Sequence, residues 1–349
     1  MEVYHSRTTT LVMMGVVSWG GRANFSNNIA HDQGGALAGF SSTVSWAGDA
    51  FFLGNTAYSS GGAVVIWGSN VSWAGNAKFF DNTAGYDGGA LYTSSSTVSW
   101  AGCVDFSHNI AEDDGGALVI WYSTISWEGG VNFSGNTAHD HGGALYGSHS
   151  AVSWAGDAVF LDNTANTSGG AVIIWDSNVS WADNAVFSNN SAILEGGALY
   201  TSSSNVSWMG RANFSNNIAH DDGGALAGSS STVSWAGDTF FLGNTAYSSG
   251  GAVVIWDSNV SWAGNAKFFD NIAGYDGGAL YTSSSTVSWA GCVDFSHNIA
   301  EDDGGALAVW YSTISWEGGA NFSGNTAHDH GGALYGSHSA VSWAGDAVF

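Results

Sequence analysis

Proline is absent from the 349 residues, although ordinary usage would supply roughly 17. Proline cannot donate a ladder hydrogen bond, so its absence fits a chain in which nearly every backbone N–H is needed by a sheet. Two cysteines, Cys103 and Cys292, are too few for a disulfide framework. Basic residues are almost as scarce. Five Lys and Arg stand against 29 Asp and Glu, for a net charge of −24. Displacing counterions from phosphates requires Lys and Arg, so nucleic acid is excluded as a partner, and an anionic membrane surface is disfavoured for the same reason. Long apolar runs are missing too. The opening stretch "MEVYHSRTTTLVMMGVV" is too short to span a membrane as a helix and lacks a signal-peptide layout. Either the chain is cytoplasmic or it is part of a longer reading frame exported by a signal elsewhere; the repeats below favour the second.

What the chain does contain is 51 Gly, 44% hydrophobic residues and 14% aromatics, enough for a large core and unlike a disordered chain. The triplet Gly-Gly-Ala recurs from Gly34 to Gly331 at a constant step of 27 residues. Ser-Trp keeps the same step from Ser18-Trp19 to Ser342-Trp343. A Phe follows six residues after each of those Trp residues, and an Asn three after each Phe that has room. Each unit reads G-G-A-[LV], then [VI]-S-W, then F-x-x-N-x-A, then three variable positions. A longer period lies above this one. Residues 22–160 recur as 211–349 with eight differences, at Gln33/Asp222, Phe40/Ser229, Ala50/Thr239, Gly68/Asp257, Thr83/Ile272, Val119/Ala308, Ile120/Val309 and Val131/Ala320. The offset is seven units, which suggests recent duplication of a block. The last unit stops partway without a polar cap, so a fragment of a longer array is expected.

Short alternating segments between Gly, Ser and Asn read as strands, not helices. One such triplet of strands cannot bury its own apolar face, whereas stacked units can. The fold expected is all-β: a right-handed parallel β-helix (β-solenoid) of about 13 rungs of 27 residues, with three short strands per rung. An irregular segment is expected over 1–6 and a single solenoid over 7–349, with a degenerate first rung at 7–33 and regular rungs at 34–349. The Leu or Val after Gly-Gly-Ala, the Val or Ile and Trp of V-S-W, and the Phe should point inward. The glycine pair suits a corner, and the Asn a turn whose amide repeats as a ladder. Leucine-rich repeats have similar periods, but their several leucines per unit are absent.

The paired motifs G-G-A-[LIV] and F-x-x-N in one unit resemble the repeats of the chlamydial polymorphic outer membrane proteins, over about residues 15–349. The resemblance implies a right-handed β-helix on a secreted or surface-exposed adhesin, and hence an extracellular or cell-surface location. The C-terminal membrane barrel carried by that family has no match here, so a membrane is expected as a partner only through other parts of a longer chain.

Two sets of residues are candidates for chemistry. Glu112-Asp113-Asp114 and His139-Asp140-His141 occupy the variable positions of adjacent rungs, and Glu301-Asp302-Asp303 with His328-Asp329-His330 repeat them. Stacked carboxylates and imidazoles suit Ca²⁺ or a transition metal. Polar turn residues that keep the chain soluble are the plainer reading, and no cofactor is expected beyond Ca²⁺ at that edge. The second set follows from strand alternation, which turns Tyr92, Tyr146, Tyr200, Tyr281 and Tyr335 outward, with Trp67, Trp121, Trp175, Trp256 and Trp310 two positions further on the intervening rungs. Such a staggered aromatic strip suits sugar rings or a protein surface; packing at a corner is the competing account.

Glycan-degrading β-helix enzymes pair carboxylates with basic residues. After Arg22 the cations are only Lys78, Arg211 and Lys267, and no Gly-His-Gly, G-x-S-x-G, P-loop or H-E-x-x-H pattern is present. The expectation is a non-enzymatic adhesin-like solenoid that presents a repeated face to glycan or protein, with end-to-end self-association through uncapped rungs as a further contact. A carbohydrate-active enzyme, a Ca²⁺-binding solenoid and an ice-binding solenoid are the alternatives.

Overall fold

The computed structural model describes residues 10–349, and among these there is no helix. The expected irregular segment at 1–6 and the start of the degenerate rung at 7 lie outside them. The protein is an all-β parallel solenoid. From Val64 to Trp343 each 27-residue rung carries three four-residue strands, as in Leu91–Ser94, Thr97–Trp100 and Val104–Ser107, followed by a two-residue strand, Ile110–Ala111; in the rungs before, the first two strands merge into Leu11–Trp19 and Leu37–Trp46. The third strand occurs thirteen times, from Ala23–Ser26 to Ala347–Val348. The described residues divide into two compact units: those up to 166 with 171–178, and residues 167–170 with 179–349.

In the first unit, from Leu37 on, the strands pair in parallel with their equivalents one rung away, without slippage. Leu91 stands opposite Val64 and Leu118, Trp100 opposite Trp73 and Trp127, and Phe106 opposite Phe79 and Phe133. The described part of the first rung, Leu11–Trp19, pairs with Leu37–Trp46 through one register shift between Met13 and Gly15. The inward columns are those the sequence suggests. Trp19, Trp46, Trp73, Trp100 and Trp127 stack with centroids 4.5–5.3 Å apart. Phe25, Phe52, Phe79, Phe106 and Phe133 form a second stack at 4.7–5.0 Å. The two stacks meet at steep angles, as with Trp100 and Phe79 at 79° and 6.3 Å, an arrangement that sets ring edges against ring faces. The second unit repeats this interior, with Trp181 to Trp343 at 4.6–6.2 Å and Phe187 to Phe349 at 4.7–5.2 Å.

Two polar ladders close the turns. Asn82 donates its backbone N–H and its side-chain Nδ2 to Asn109 Oδ1, at 3.1 and 2.9 Å, and Nδ2 also reaches the Phe52 carbonyl at 3.0 Å. Asn109 does the same to Asn136 and Phe79. These amides are fully buried, and each is satisfied by its neighbour. A serine ladder serves the turn before the second strand. The Ser69 N–H donates to Ser96 Oγ at 3.1 Å, and Ser96 Oγ–H donates to the Ser94 carbonyl at 2.7 Å. At the glycine corner both residues are required, for different reasons. Gly88 has φ of 63°, and a Cβ on Gly89 would lie 2.0 Å from the Gly116 carbonyl oxygen of the next rung.

Candidate functional site

The outward face of the first strand is set by alternation. In Leu91–Ser94 the first and third residues are buried and Tyr92 is half-exposed; in Val64–Trp67 the fourth residue, Trp67, is 45% exposed. Register places Tyr92 between Val65 and Val119, and Ser94 between Trp67 and Trp121. Large rings therefore alternate between two adjacent columns on one face. In the first unit the strip is Trp67, Tyr92, Trp121, Tyr146 and Trp175; in the second it is Tyr200, Trp256, Tyr281, Trp310 and Tyr335. Most of these rings are half-buried, and the packing between them is uneven. Tyr146 differs from expectation. It is only 4% exposed because Trp121 and Trp175 close over it, at 6.3 and 5.7 Å between centroids, so it supports the strip from beneath. Trp310 packs on Tyr335 in the same way at 5.4 Å.

A column of polar residues runs beside this face, one residue before each glycine corner: Gln33, Ser60, Asp87, Asp114 and His141 in the first unit, and Ser168, Glu195, Asp222, Ser249, Asp276, Asp303 and His330 in the second. Burial, with the charges of Asp114 and Asp113, pushes Asp87 up to about 6, even though the Asp114 N–H and the Ser60 side chain hydrogen-bond to it. Burial likewise raises Asp222 and Asp276. Tyr92 is raised by burial and then by Asp87, and Tyr281 by burial and then by Asp276 and Asp222, so carboxylates and phenols share one environment. Tyr200 is raised by burial and Glu195.

The His-Asp-His edge is brought together as the stacking argument requires, but it splits into separate groups. His139 Nδ1 meets Glu112 Oε2 at 2.9 Å and stands apart. His141 Nδ1 meets Asp114 Oδ1 and Asp140 Oδ1, each at 3.1 Å, and these three residues hold their candidate ligand atoms within 4.8 Å of one another. Burial lowers His141, but the Asp114 hydrogen bond and the charges of Asp114, Asp140 and Asp113 outweigh it, and its pKa is raised. Asp113 is raised by burial and by Asp114 and Asp140. The duplicate differs. His328 pairs with Glu301 at 2.9 Å and His330 with Asp303 at 2.8 Å, while Asp302 and Asp329 hydrogen-bond to each other. Two carboxylates and an imidazole form a mixed oxygen and nitrogen set, which suits Mn²⁺ or Zn²⁺ better than the all-oxygen shell of Ca²⁺.

The described cations lie elsewhere, on the outward side of the third strands. Arg22 sits over Phe51 at 4.4 Å and Arg211 over Phe240 at 4.3 Å. Lys78 pairs with Asp105 at 2.9 Å and Lys267 with Asp294 at 3.9 Å. The second unit has a groove of about 500 Å³ on that side, lined by Phe240, Lys267, Cys292, Asp294 and Asn321 among others. Cys103 and Cys292 are both exposed free thiols. On the second strand the outward row mixes Asn70, Thr97 and Thr124, without the uniform threonine that a regular ice-matching ladder would have.

The repeats match the Chlamydia polymorphic membrane protein repeat, at residues 76–94, 130–148, 184–202 and 318–337. No curated protein and no solved structure matches the chain. Each Chlamydia-type window runs from before the third strand to the end of the next rung's first strand, and includes F-x-x-N, the glycine corner and a Tyr: Tyr92, Tyr146, Tyr200 or Tyr335. Trp67, Trp121, Trp175, Trp256 and Trp310 fall outside all four windows. The serine ladder escaped the sequence reading. Its signal was the Ser that stands, from Ser42 onward, two residues before the Val or Ile of every V-S-W, which looked like turn composition.

Proposed function

We propose that this chain is a non-enzymatic, surface or secreted adhesin-like solenoid whose first-strand face makes multivalent contact with glycan or protein. The Chlamydia-type repeats support the general class. The observation that carries the finer reading is the strip itself: large aromatic rings recur in two adjacent columns of one sheet face, most of them partly exposed, and the whole Trp column falls where the family repeat has no match. Equivalent weak sites in register raise avidity without any one being strong. The regularity of the rungs supports a binding role, since the same faces recur in both units. Location at the cell surface or outside it belongs to the same proposal.

The test is a glycan-array and protein-capture screen with tryptophan fluorescence as readout. It compares the wild type with a Trp67→Ser/Trp121→Ser/Trp256→Ser/Trp310→Ser variant whose fold is checked by far-UV circular dichroism. Binding by the wild type that falls at least tenfold in the folded variant is the expected result. Equal binding by both proteins would remove the strip from the function.

A further inference from the structure

The groove beside the third strands of the second unit joins an apolar floor to polar walls. It passes five consecutive strands, from Thr239–Leu242 to Ala347–Val348, at equivalent positions in each, so it runs along the axis of the coil. One wall is the outward column Phe240, Lys267, Asp294 and Asn321, in register from rung to rung. The other is the column just before each strand, with Asn265, Cys292 and Asp346. Gly319 opens that second wall. A Cβ there would meet the Asp346 carbonyl oxygen at 3.7 Å and Cys292 Sγ at 3.8 Å, both ordinary contacts, so the space beside it is free for a ligand. The floor includes Ala320 where the first unit carries Val131. The volume of about 500 Å³ falls within the roughly 300–1,000 Å³ of small-ligand sites.

The polar groups of the walls are fixed in place but not used up. Asp294 Oδ1 accepts from Asn321 Nδ2 at 2.9 Å. Lys267 Nζ stands 3.9 Å from Asp294 Oδ2, beyond hydrogen-bond length, whereas Lys78 in the first unit closes on Asp105 at 2.9 Å. A hydroxyl group accepts and donates at once, so one set between Nζ and Oδ2 satisfies both. Asn265 is held by its bonds to Asp238 and to the Cys292 N–H, and it keeps a second amide hydrogen to donate. Charge narrows the choice of ligand. Asp294 and Asp346 outnumber Lys267 in the lining, and the chain carries −24 overall, so uronate and sulfated chains are repelled.

We infer that this groove binds an extended, neutral β-1,4-linked glycan chain, one pyranose residue to each rung. The site is separate from the first-strand strip and uses another face and other residues. Rungs repeat at about 4.8 Å, close to the advance of one residue in an extended β-1,4 chain, so sugar hydroxyl groups recur in step with the wall columns. The apolar floor suits the C–H face of each ring, while the amides and the gap between Lys267 and Asp294 take its hydroxyl groups.

Three neutral hexamers of this linkage, cellohexaose, mannohexaose and chitohexaose, are titrated against the full chain by calorimetry. The β-1,4-glucuronate hexamer is the anionic control. Saturable binding of at least one neutral hexamer, at least tenfold tighter than the glucuronate, is expected, and their order of affinity identifies the sugar. Gly319→Phe fills the groove at a position with room for a side chain, and should weaken binding at least tenfold with an unchanged far-UV circular dichroism spectrum. In a Cys103→Ser chain, whose one thiol is Cys292, the bound hexamer should slow alkylation by iodoacetamide at least tenfold, read by intact mass. The Trp67→Ser/Trp121→Ser/Trp256→Ser/Trp310→Ser variant should bind the hexamer as the wild type does. The inference falls if no neutral hexamer binds, if the glucuronate binds equally well, if Gly319→Phe binds as the wild type does, or if Cys292 stays unprotected. Binding lost in the Trp variant and kept in Gly319→Phe would place the glycan on the strip and overturn the groove. Binding lost in Gly319→Phe and kept in the Trp variant upholds the groove even if the strip binds nothing.

Discussion

At the scale of single residues, the carboxyl groups beside the strip make stability depend on pH in a defined direction. Asp87 is raised from 3.8 to about 6 by burial and by Asp114 and Asp113; Asp222 and Asp276 move the same way. A carboxyl group whose pKa is higher folded than unfolded favours the folded state when protonated. Its contribution is complete below pH 3.8 and is lost as pH rises through about 6. The urea midpoint, measured with a chelator present, should therefore be higher at pH 4.5 than at pH 7.5. Asp87 alone should account for about 1 kcal/mol of that difference once solvent screening is allowed for. Asp87→Asn should match the wild type at pH 4.5 and exceed it at pH 7.5; a variant weaker than the wild type at both values would show that the carboxylate, not its burial, is what the fold needs. Much at this scale was legible beforehand. Leu, Val, Trp and Phe point inward where alternation places them. Tyr146 was not legible, because its burial depends on Trp121 and Trp175 from two other rungs, and alternation within one strand gives only the direction of a side chain.

At the scale of the element, the loop edge after each two-residue strand is where sequence reasoning reached furthest and then stopped. The 27-residue step identifies which side chains share the edge, and the structure does bring Glu112, Asp114, His139 and His141 together there. It could not reveal that His141 bridges Asp114 and Asp140 while His139 turns away to Glu112, since rotamer and loop direction decide that. The glycine corner and the Asn ladder were legible because each has one physical cause repeated in every unit. The fourth, two-residue strand was not, because Ile110–Ala111 and its equivalents are too short to show a period. The trio Asp114, Asp140 and His141 gives a concrete expectation. Zn²⁺ or Mn²⁺ should raise the melting temperature by a few degrees and release the His141 proton, while Ca²⁺ at equal concentration should do less. A chelator should reverse the rise, and Asp140→Asn should abolish it with the metal-free melting temperature little changed. An equal response in that variant would place any bound metal elsewhere. Because Asp302 and Asp329 turn to each other in the second unit, the trio's duplicate should not respond, and His330→Ala should leave the metal effect intact.

At the scale of the whole molecule, the same ladder that closes each turn also sets how far a disturbance travels. Strands pair with their equivalents one rung away, so stability is approximately a sum over rungs and nearest-neighbour interfaces. Asn109 is the sharpest place to test this. Its Oδ1 accepts both the N–H and the Nδ2 of Asn82, and its Nδ2 donates to Asn136 and to the Phe79 carbonyl, all within a fully buried column. Asn109→Ala would leave the Asn82 donors and the Phe79 acceptor without those partners, at a cost of about 3 kcal/mol or more. In hydrogen–deuterium exchange read by mass spectrometry, amides from residues 79 to 138 should exchange at least tenfold faster, while those from residues 241 to 300 should keep the wild-type rate. Uniform acceleration across both stretches would mean that the solenoid opens as one cooperative body, and the nearest-neighbour account would fail. Local opening has a functional consequence on the proposed reading. A binding face made of many equivalent rungs can lose one of them and retain avidity through the others, which a single fully cooperative site could not do.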